Sequence, residues 1–184
     1  MPGSAATRRV FIMPRKSRRG SVAPIVGCAV VVAAGLSLLA CTWVAPTDTE
    51  RVLGSVKVAV QTATQNAIAP DQPPQITLGE EGGERELDAC TGEFIEMIAY
   101  RDGSVPPLYA AHNNCGGDII LGWKQGTMVQ IAGADTVYQV VDERDTPKGA
   151  PVEALTGIGG ELVVQTCFYG EDRMRFLALA PAAA

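Results

Sequence analysis

From about Leu87 onward, the sequence consists of short apolar runs separated by turn-forming residues. The runs are 94–100, 127–133, 136–143, 161–167 and 173–180. They are rich in β-branched residues, no long amphipathic helix interrupts them, and Ala134-Asp135 between two of them indicates a hairpin. The pattern predicts a mainly β domain over residues 87–184, either a small barrel or a sandwich.

The amino-terminal region predicts attachment to a membrane. Residues 1–20 contain six basic side chains and no acidic one, and residues 21–45 are predominantly apolar. An apolar stretch of about 20 residues can span a bilayer, and the preceding basic residues keep the first segment in the cytoplasm. Leu38-Leu39-Ala40-Cys41 also resembles a lipobox, in which Cys41 would be lipidated. Both interpretations place the following domain on the extracellular face of the cell membrane.

Residues 46–86 predict a flexible stalk between the anchor and the domain. The sequence APDQPPQ at 69–75 disfavours regular structure, and LGEEGGERE at 78–86 is acidic and glycine-rich, as solvated linkers are. Val52, Val56 and Val60 have helical spacing, but alternating valines in the same stretch also fit a strand.

The charge of the chain after residue 20 argues against nucleic acid as a partner. Nine basic and 20 acidic side chains remain there, which is a net charge of −11. Nucleic-acid binding depends on the neutralisation of phosphates by Lys and Arg.

Three cysteines follow the anchor and predict one disulfide and one free thiol. Cys90 and Cys115 lie in loop-like stretches, so we expect them to form a bridge in the oxidising extracellular compartment. Cys167 then remains unpaired at the end of a predicted strand. An odd extracellular thiol indicates a reactive group or an intermolecular disulfide.

Thiol chemistry requires a base near the sulfur and a positive donor near the developing oxyanion. His112 is the only histidine of the chain. Arg173 and Arg175 lie on one face of the strand after Cys167, because side chains repeat every two residues along a strand. His112, Cys167 and one of these arginines could meet across neighbouring strands.

These residues resemble those of sortases, the cysteine transpeptidases of Gram-positive cell surfaces, in a short actinobacterial-type variant. The matching segments, in the family order, are AAHNNCGG (110–117), GTMV (126–129), VVQTC (163–167) and RFLALA (175–180). The resemblance implies a small closed β-barrel with short helices. It also implies catalytic roles for His112, Cys167 and Arg175, with Arg173 as the alternative arginine.

The resemblance further implies a reaction and its partners. Cys167 would cleave a surface-protein sorting motif similar to Leu-Pro-x-Thr-Gly through a thioacyl-enzyme. The acyl group would pass to an amine acceptor, which is a cell-wall precursor or another protein. No metal or organic cofactor is implied.

Two other functions fit the same residues less well. L,D-transpeptidases share the order His, Cys, Arg, but their Ser-x-Gly-Cys-x-Arg motif is absent from this sequence. A non-catalytic, membrane-anchored binding lipoprotein of sortase shape would need no reactive Cys167.

Overall fold

The computed structural model describes residues 43–101 and 103–183. The predicted cytoplasmic segment, nearly all of the predicted anchor and the lipobox Cys41 lie outside these residues. Among the described residues, no helix combines the length and the apolar character that crossing a bilayer requires.

The described part of the chain is mainly β, with eight strands in one sheet. The strands are β1 (Gln75–Ile76), β2 (Leu78–Gly82), β3 (Phe94–Met97), β4 (Leu108–Ala110), β5 (Met128–Ile131), β6 (Val137–Pro147), β7 (Leu162–Cys167) and β8 (Arg173–Pro181). The helical elements are α1 (Pro46–Ile68), α2 (Glu84–Asp88) and four 3₁₀ helices, η1 (Ile98–Tyr100), η2 (Asn113–Cys115), η3 (Gly117–Gly122) and η4 (Val152–Leu155).

The sheet curls into a nearly closed barrel. Its strand order is β1-β5-β6-β8-β7-β4-β3-β2, and the two edge strands, β1 and β2, are separated in the chain by Thr77 alone. The two edges of the sheet therefore meet at one continuous segment. The predicted barrel is confirmed and the sandwich is not formed. The predicted hairpin is also confirmed, since β5 and β6 pair in antiparallel orientation.

Strand β7 lies between β4, which runs parallel to it, and β8, which runs antiparallel. Leu162 and Val164 belong to an apolar cluster that contains residues of strands at both edges of the sheet. This cluster therefore fills the inside of the barrel. Val163 belongs to a second cluster, which also contains Leu155 of η4 and covers the outside of the sheet. Both faces of β7 are thus buried, which explains its continuous β-branched run. We call these faces the inner and outer faces.

Residues 46–86 differ from the predicted flexible stalk. They contain the 23-residue helix α1 and the strands β1 and β2, which pair with β5 and β3. Strand β2 pairs with β3 through backbone hydrogen bonds, which form whatever the side chains are. Its acidic, glycine-rich sequence therefore has the composition of a linker although it forms a strand. The stretch between α1 and β1 lacks regular structure, in agreement with its prolines.

Helix α1 packs against the barrel through a face that the valine spacing does not reveal. Val52, Val56 and Val60 are exposed, whereas Gly54 is buried. A Cβ atom at Gly54 would overlap the ring of Tyr169, so this contact requires glycine. The apolar spacing correctly allows a helix, but a small residue forms its contact with the barrel.

Candidate active site

Cys167 ends β7 on the outer face of the barrel. Its side chain is half-buried, it is a free cysteine, and it packs against the outer cluster together with Tyr100. Burial raises the pKa of the Tyr100 hydroxyl, and the nearby charge of a Cys167 thiolate raises it further. The Nε2 atom of Gln165, two residues earlier on the same face, lies 3.9 Å from the Cys167 Sγ atom.

His112 lies two residues beyond β4, the strand that runs parallel to β7. In the parallel pairing of β4 and β7, Ala110 is the partner of Gln165. The ladder continues beyond β4, because the Ala111 amide donates to the Gln165 carbonyl over 3.1 Å. The backbone of His112 is also extended (φ −64°, ψ 144°). Counted two residues past Ala110, this register makes His112 the position opposite Cys167, and opposite positions share a face of the sheet.

The loop after His112 is positioned from inside the barrel. Thr166, which is completely buried, donates its hydroxyl to the carbonyl of Ala111 over 2.8 Å. A Cβ atom at Gly117 would lie 2.6 Å from that same hydroxyl oxygen, so the chain can turn here only with glycine. Thr166 therefore positions the histidine loop from the inner face, whereas the neighbouring Cys167 lies on the outer face.

Asp88 is a member of this site that the sequence analysis did not identify. It is the last residue of α2, and its Oδ1 atom lies 2.8 Å from the His112 Nε2 atom. The distance in sequence, 24 residues, gave no indication of the contact. The predicted disulfide was an available signal, because a bridge between Cys90 and Cys115 brings the neighbours of each cysteine together.

The disulfide between Cys90 and Cys115 is present, as predicted. Cys90 follows Asp88 by two residues, and Cys115 follows His112 by three. Cys90 adopts a left-handed backbone conformation, with φ 56°, which is uncommon for a residue other than glycine. The bridge therefore joins the segment that follows Asp88 to the segment that follows His112.

The structure does not bring either predicted arginine to Cys167. In the β7–β8 pairing, the partner of Cys167 is Met174, and the partner of Arg175 is Thr166. Directly paired residues share a face of the sheet, so Arg175 and Arg173 project from the inner face.

Arg175 has other partners on that face. Its Nη1 atom donates to the Leu121 carbonyl over 3.0 Å, and its Nη2 atom pairs with Glu143 at 3.2 Å. Arg173 pairs with Glu171 and Asp145 and stacks on the Phe168 ring. Both guanidinium groups therefore connect elements of the barrel.

A second polar cluster attaches α1 to the barrel. The completely buried Asp118 carboxylate accepts hydrogen bonds from Lys57 of α1 and from the Tyr169 hydroxyl, at 2.6 and 3.0 Å. The bond with Asp118 raises the pKa of Lys57, and burial raises the pKa of Tyr169. The Tyr169 hydroxyl lies 2.7 Å from the Asn113 carbonyl, so this cluster also contacts the histidine loop.

Neither of the two following clefts is lined by Cys167 or His112. One, of about 540 Å³, lies between α1 and η3, and the other, of about 550 Å³, lies between β2, α2 and β3. Among the described residues, no group of three or more His, Cys, Asp or Glu side chains is arranged to hold a metal ion.

Comparison with known proteins gives no relative. No protein family, curated protein or solved structure matches this chain.

Proposed function

We propose that this protein is a sortase-like cysteine transpeptidase with Cys167 as nucleophile and His112 as general acid and base. One observation carries the proposal: by the register of β4 and β7, the only histidine of the chain follows β4 at the position opposite the free thiol of Cys167. A nucleophile and a base side by side are the minimum that acyl transfer by a thiol requires.

The reaction uses these two side chains in succession. The Cys167 thiolate attacks the backbone carbonyl of a sorting motif, and the tetrahedral intermediate collapses to a thioester as His112 protonates the departing amine. An amine of the cell envelope then attacks the thioester. His112 removes a proton from that amine, and the Cys167 thiolate leaves.

The oxyanion of the tetrahedral intermediate requires a hydrogen-bond donor on the outer face. The family resemblance implies Arg175, but its guanidinium has its partners on the inner face. The side-chain amide of Gln165 is on the same face as the thiol and 3.9 Å from Sγ. We propose Gln165 as the donor, because an amide N–H directed at the reacting carbonyl is a common form of oxyanion stabilisation.

The placement of Arg175 also favours a second candidate, a non-catalytic surface protein with the same barrel. Without Arg173 or Arg175 beside it, Cys167 lacks one of the usual means of forming a thiolate at neutral pH. In that case the outer face around Cys167 would serve as a binding surface, and substitution of the thiol would leave partner affinity unchanged.

The proposal includes the location. The disulfide supports an oxidising compartment, since such bridges persist mainly outside the cytoplasm. A membrane-spanning anchor within residues 21–45, or lipidation at Cys41, would hold the domain at the outer face of the membrane.

Trapping of the acyl-enzyme tests the function directly. The full chain in detergent is incubated with a library of peptides that contain Leu-Pro-x-Thr-Gly and related motifs, with hydroxylamine as a small amine acceptor. We expect a thioacyl adduct on Cys167 by mass spectrometry and a hydroxamate product. Cys167→Ala is the matched control and should give neither.

The opposite results have distinct meanings. Peptide cleavage by Cys167→Ala would eliminate the cysteine mechanism. An absence of adduct and hydroxamate from the entire library, with peptide binding that Cys167→Ala leaves unchanged, would favour the binding protein.

A further inference from the structure

We propose that Asp88 is a positioning residue for His112 and that the Cys90–Cys115 disulfide holds it in that position. The catalytic meaning of this inference rests on the proposed function, but the contact itself does not. The inference depends on the 2.8 Å contact between the Asp88 Oδ1 and His112 Nε2 atoms and on the position of the bridge beside both residues.

The contact determines which ring nitrogen can act on the thiol. An ionised carboxylate only accepts hydrogen bonds, so the His112 Nε2 atom must carry the proton that Asp88 accepts. In the neutral ring, Nδ1 then has the lone pair and is the nitrogen that can take a proton from Cys167 or from the incoming amine. A carboxylate that orients a histidine in this way also stabilises the imidazolium form during the reaction.

The short helix that carries Asp88 provides little restraint by itself. Helix α2 has five residues, and none of them is buried. Its start is capped by Glu86, whose carboxylate accepts from the Gly83 amide over 2.9 Å, and this bond lowers the pKa of Glu86. Helices this short are not stable in isolation.

The contact is also too exposed to hold the helix. The Asp88 side chain is 65% exposed, and an exposed contact between two polar side chains stabilises its geometry only weakly. The restraint therefore comes from other features, which include the packing of Leu87 against the outer cluster.

The disulfide adds a covalent restraint to the packing of Leu87. It lies two residues after Asp88 and three after His112, so it keeps the end of α2 beside the histidine loop. Through this bridge, the carboxylate and the imidazole stay within reach of each other, as if at high effective concentration. The orientation of His112 therefore depends on the bridge, and its reduction should release Asp88.

Nuclear magnetic resonance can test the contact without any substrate. Because the chain has one histidine, ¹⁵N-histidine labelling of the full chain in detergent gives imidazole signals from His112 alone. We expect a directly observed Nε2–H proton signal in the wild type, since the hydrogen bond slows its exchange with water. The signal should vanish in Asp88→Ala and persist in the matched control Glu84→Gln, which removes a carboxylate from the same helix.

The rate of Cys167 alkylation by iodoacetamide provides the second readout. We expect Asp88→Ala to lower this rate about tenfold. This is less than the loss of about 10⁴ in kcat when the orienting aspartate of a serine triad is replaced. Glu84→Gln should match the wild type. An unchanged Nε2–H signal and alkylation rate in Asp88→Ala would overturn the positioning role.

The part played by the bridge is tested by removing it while Asp88 stays in place. The Cys90→Ser, Cys115→Ser double variant should lose the Nε2–H signal and react as slowly as Asp88→Ala. If that variant fails to fold, the bridge of the wild type is reduced instead. The Nε2–H signal of His112 is then measured before and after reoxidation, and we expect it to return only with the bridge. Retention of the signal without the bridge would overturn this part of the proposal. Because neither readout needs a peptide, a failure of peptide cleavage alone would refute only the proposed function.

Discussion

The outer and inner faces of the β7–β8 pair carry different chemistry, although their residues alternate along the same two strands. On the outer face, Gln165 and Cys167 are half-buried, and the Gln165 Nε2 atom lies 3.9 Å from the Cys167 Sγ atom. On the inner face, Thr166 and Arg175 make hydrogen bonds that connect β7 and β8 with the histidine loop and η3.

This difference follows from a single register. Pairing of Cys167 with Met174 places both arginines of β8 across the sheet from the thiol. A slip of one residue would move every side chain of β8 to the other face. Reactivity is thus expected on one face and stabilisation on the other, and the following variants test that separation.

The largest effect is expected from Cys167→Ala, which should abolish acyl-enzyme formation because no other side chain can replace the sulfur. Mass spectrometry after incubation with sorting-motif peptides measures it. Thr166→Val is the inner-face counterpart, and it should retain the adduct while lowering stability, since it leaves the Ala111 carbonyl without its donor. An intact adduct in Cys167→Ala would place the chemistry elsewhere.

His112→Ala should reduce the rate of acyl transfer by roughly 10²–10⁴, the usual contribution of a positioned acid or base. Stability should change little, because the side chain is partly exposed and lies at the end of the β4 ladder. Single-turnover kinetics with hydroxylamine measure the rate, and thermal unfolding measures the stability. A rate within a few-fold of the wild type would remove the base from the mechanism.

Gln165→Leu should lower the rate by about 10²–10³, which is typical for the loss of one oxyanion donor. The substitution keeps the size of the side chain but removes the amide. Gln125→Leu is the control, since the Gln125 amide donates to the Val141 carbonyl, away from the thiol. Equal rates for the two variants would show that the donor is another group, and the arginine variants would then identify it.

The smallest effects are expected from the inner-face arginines. Arg175→Leu should lower the free energy of unfolding by about 2 kcal/mol, because the half-buried guanidinium hydrogen-bonds to the Leu121 carbonyl and to Glu143. Arg173→Leu should cost about 0–1 kcal/mol, since that side chain is 42% exposed. Urea unfolding measures both.

Acyl-transfer rates of the arginine variants decide between the two faces. We expect rates within a few-fold of the wild type for Arg175→Leu. A loss of about 10²–10³ with unchanged stability would instead match the oxyanion role that the sortase resemblance implies for Arg175. That result would show that the separation of the two faces does not hold during the reaction.

Local patterns predicted several of these features from the sequence. The β-branched run before Cys167 predicted β7, and the turn at Asp135 predicted the β5–β6 hairpin. The two loop cysteines predicted the bridge. In each case, neighbouring residues along the chain carry the signal. The segment before β3 was not recognised, because its strands depend on backbone pairing with distant strands and its helix contacts the barrel through a glycine.

The sequence by itself determined a mainly β domain, one disulfide, one free thiol and a lone histidine that could serve it. Periodicity also placed Arg173 and Arg175 on a common face of one strand. Only the tertiary structure decided which face that is, because the register between β7 and β8 is set by the packing of two apolar clusters on opposite sides of the sheet. Tertiary structure likewise brought Asp88 to His112, since the disulfide and the short helix act together only after both loops have folded onto the barrel.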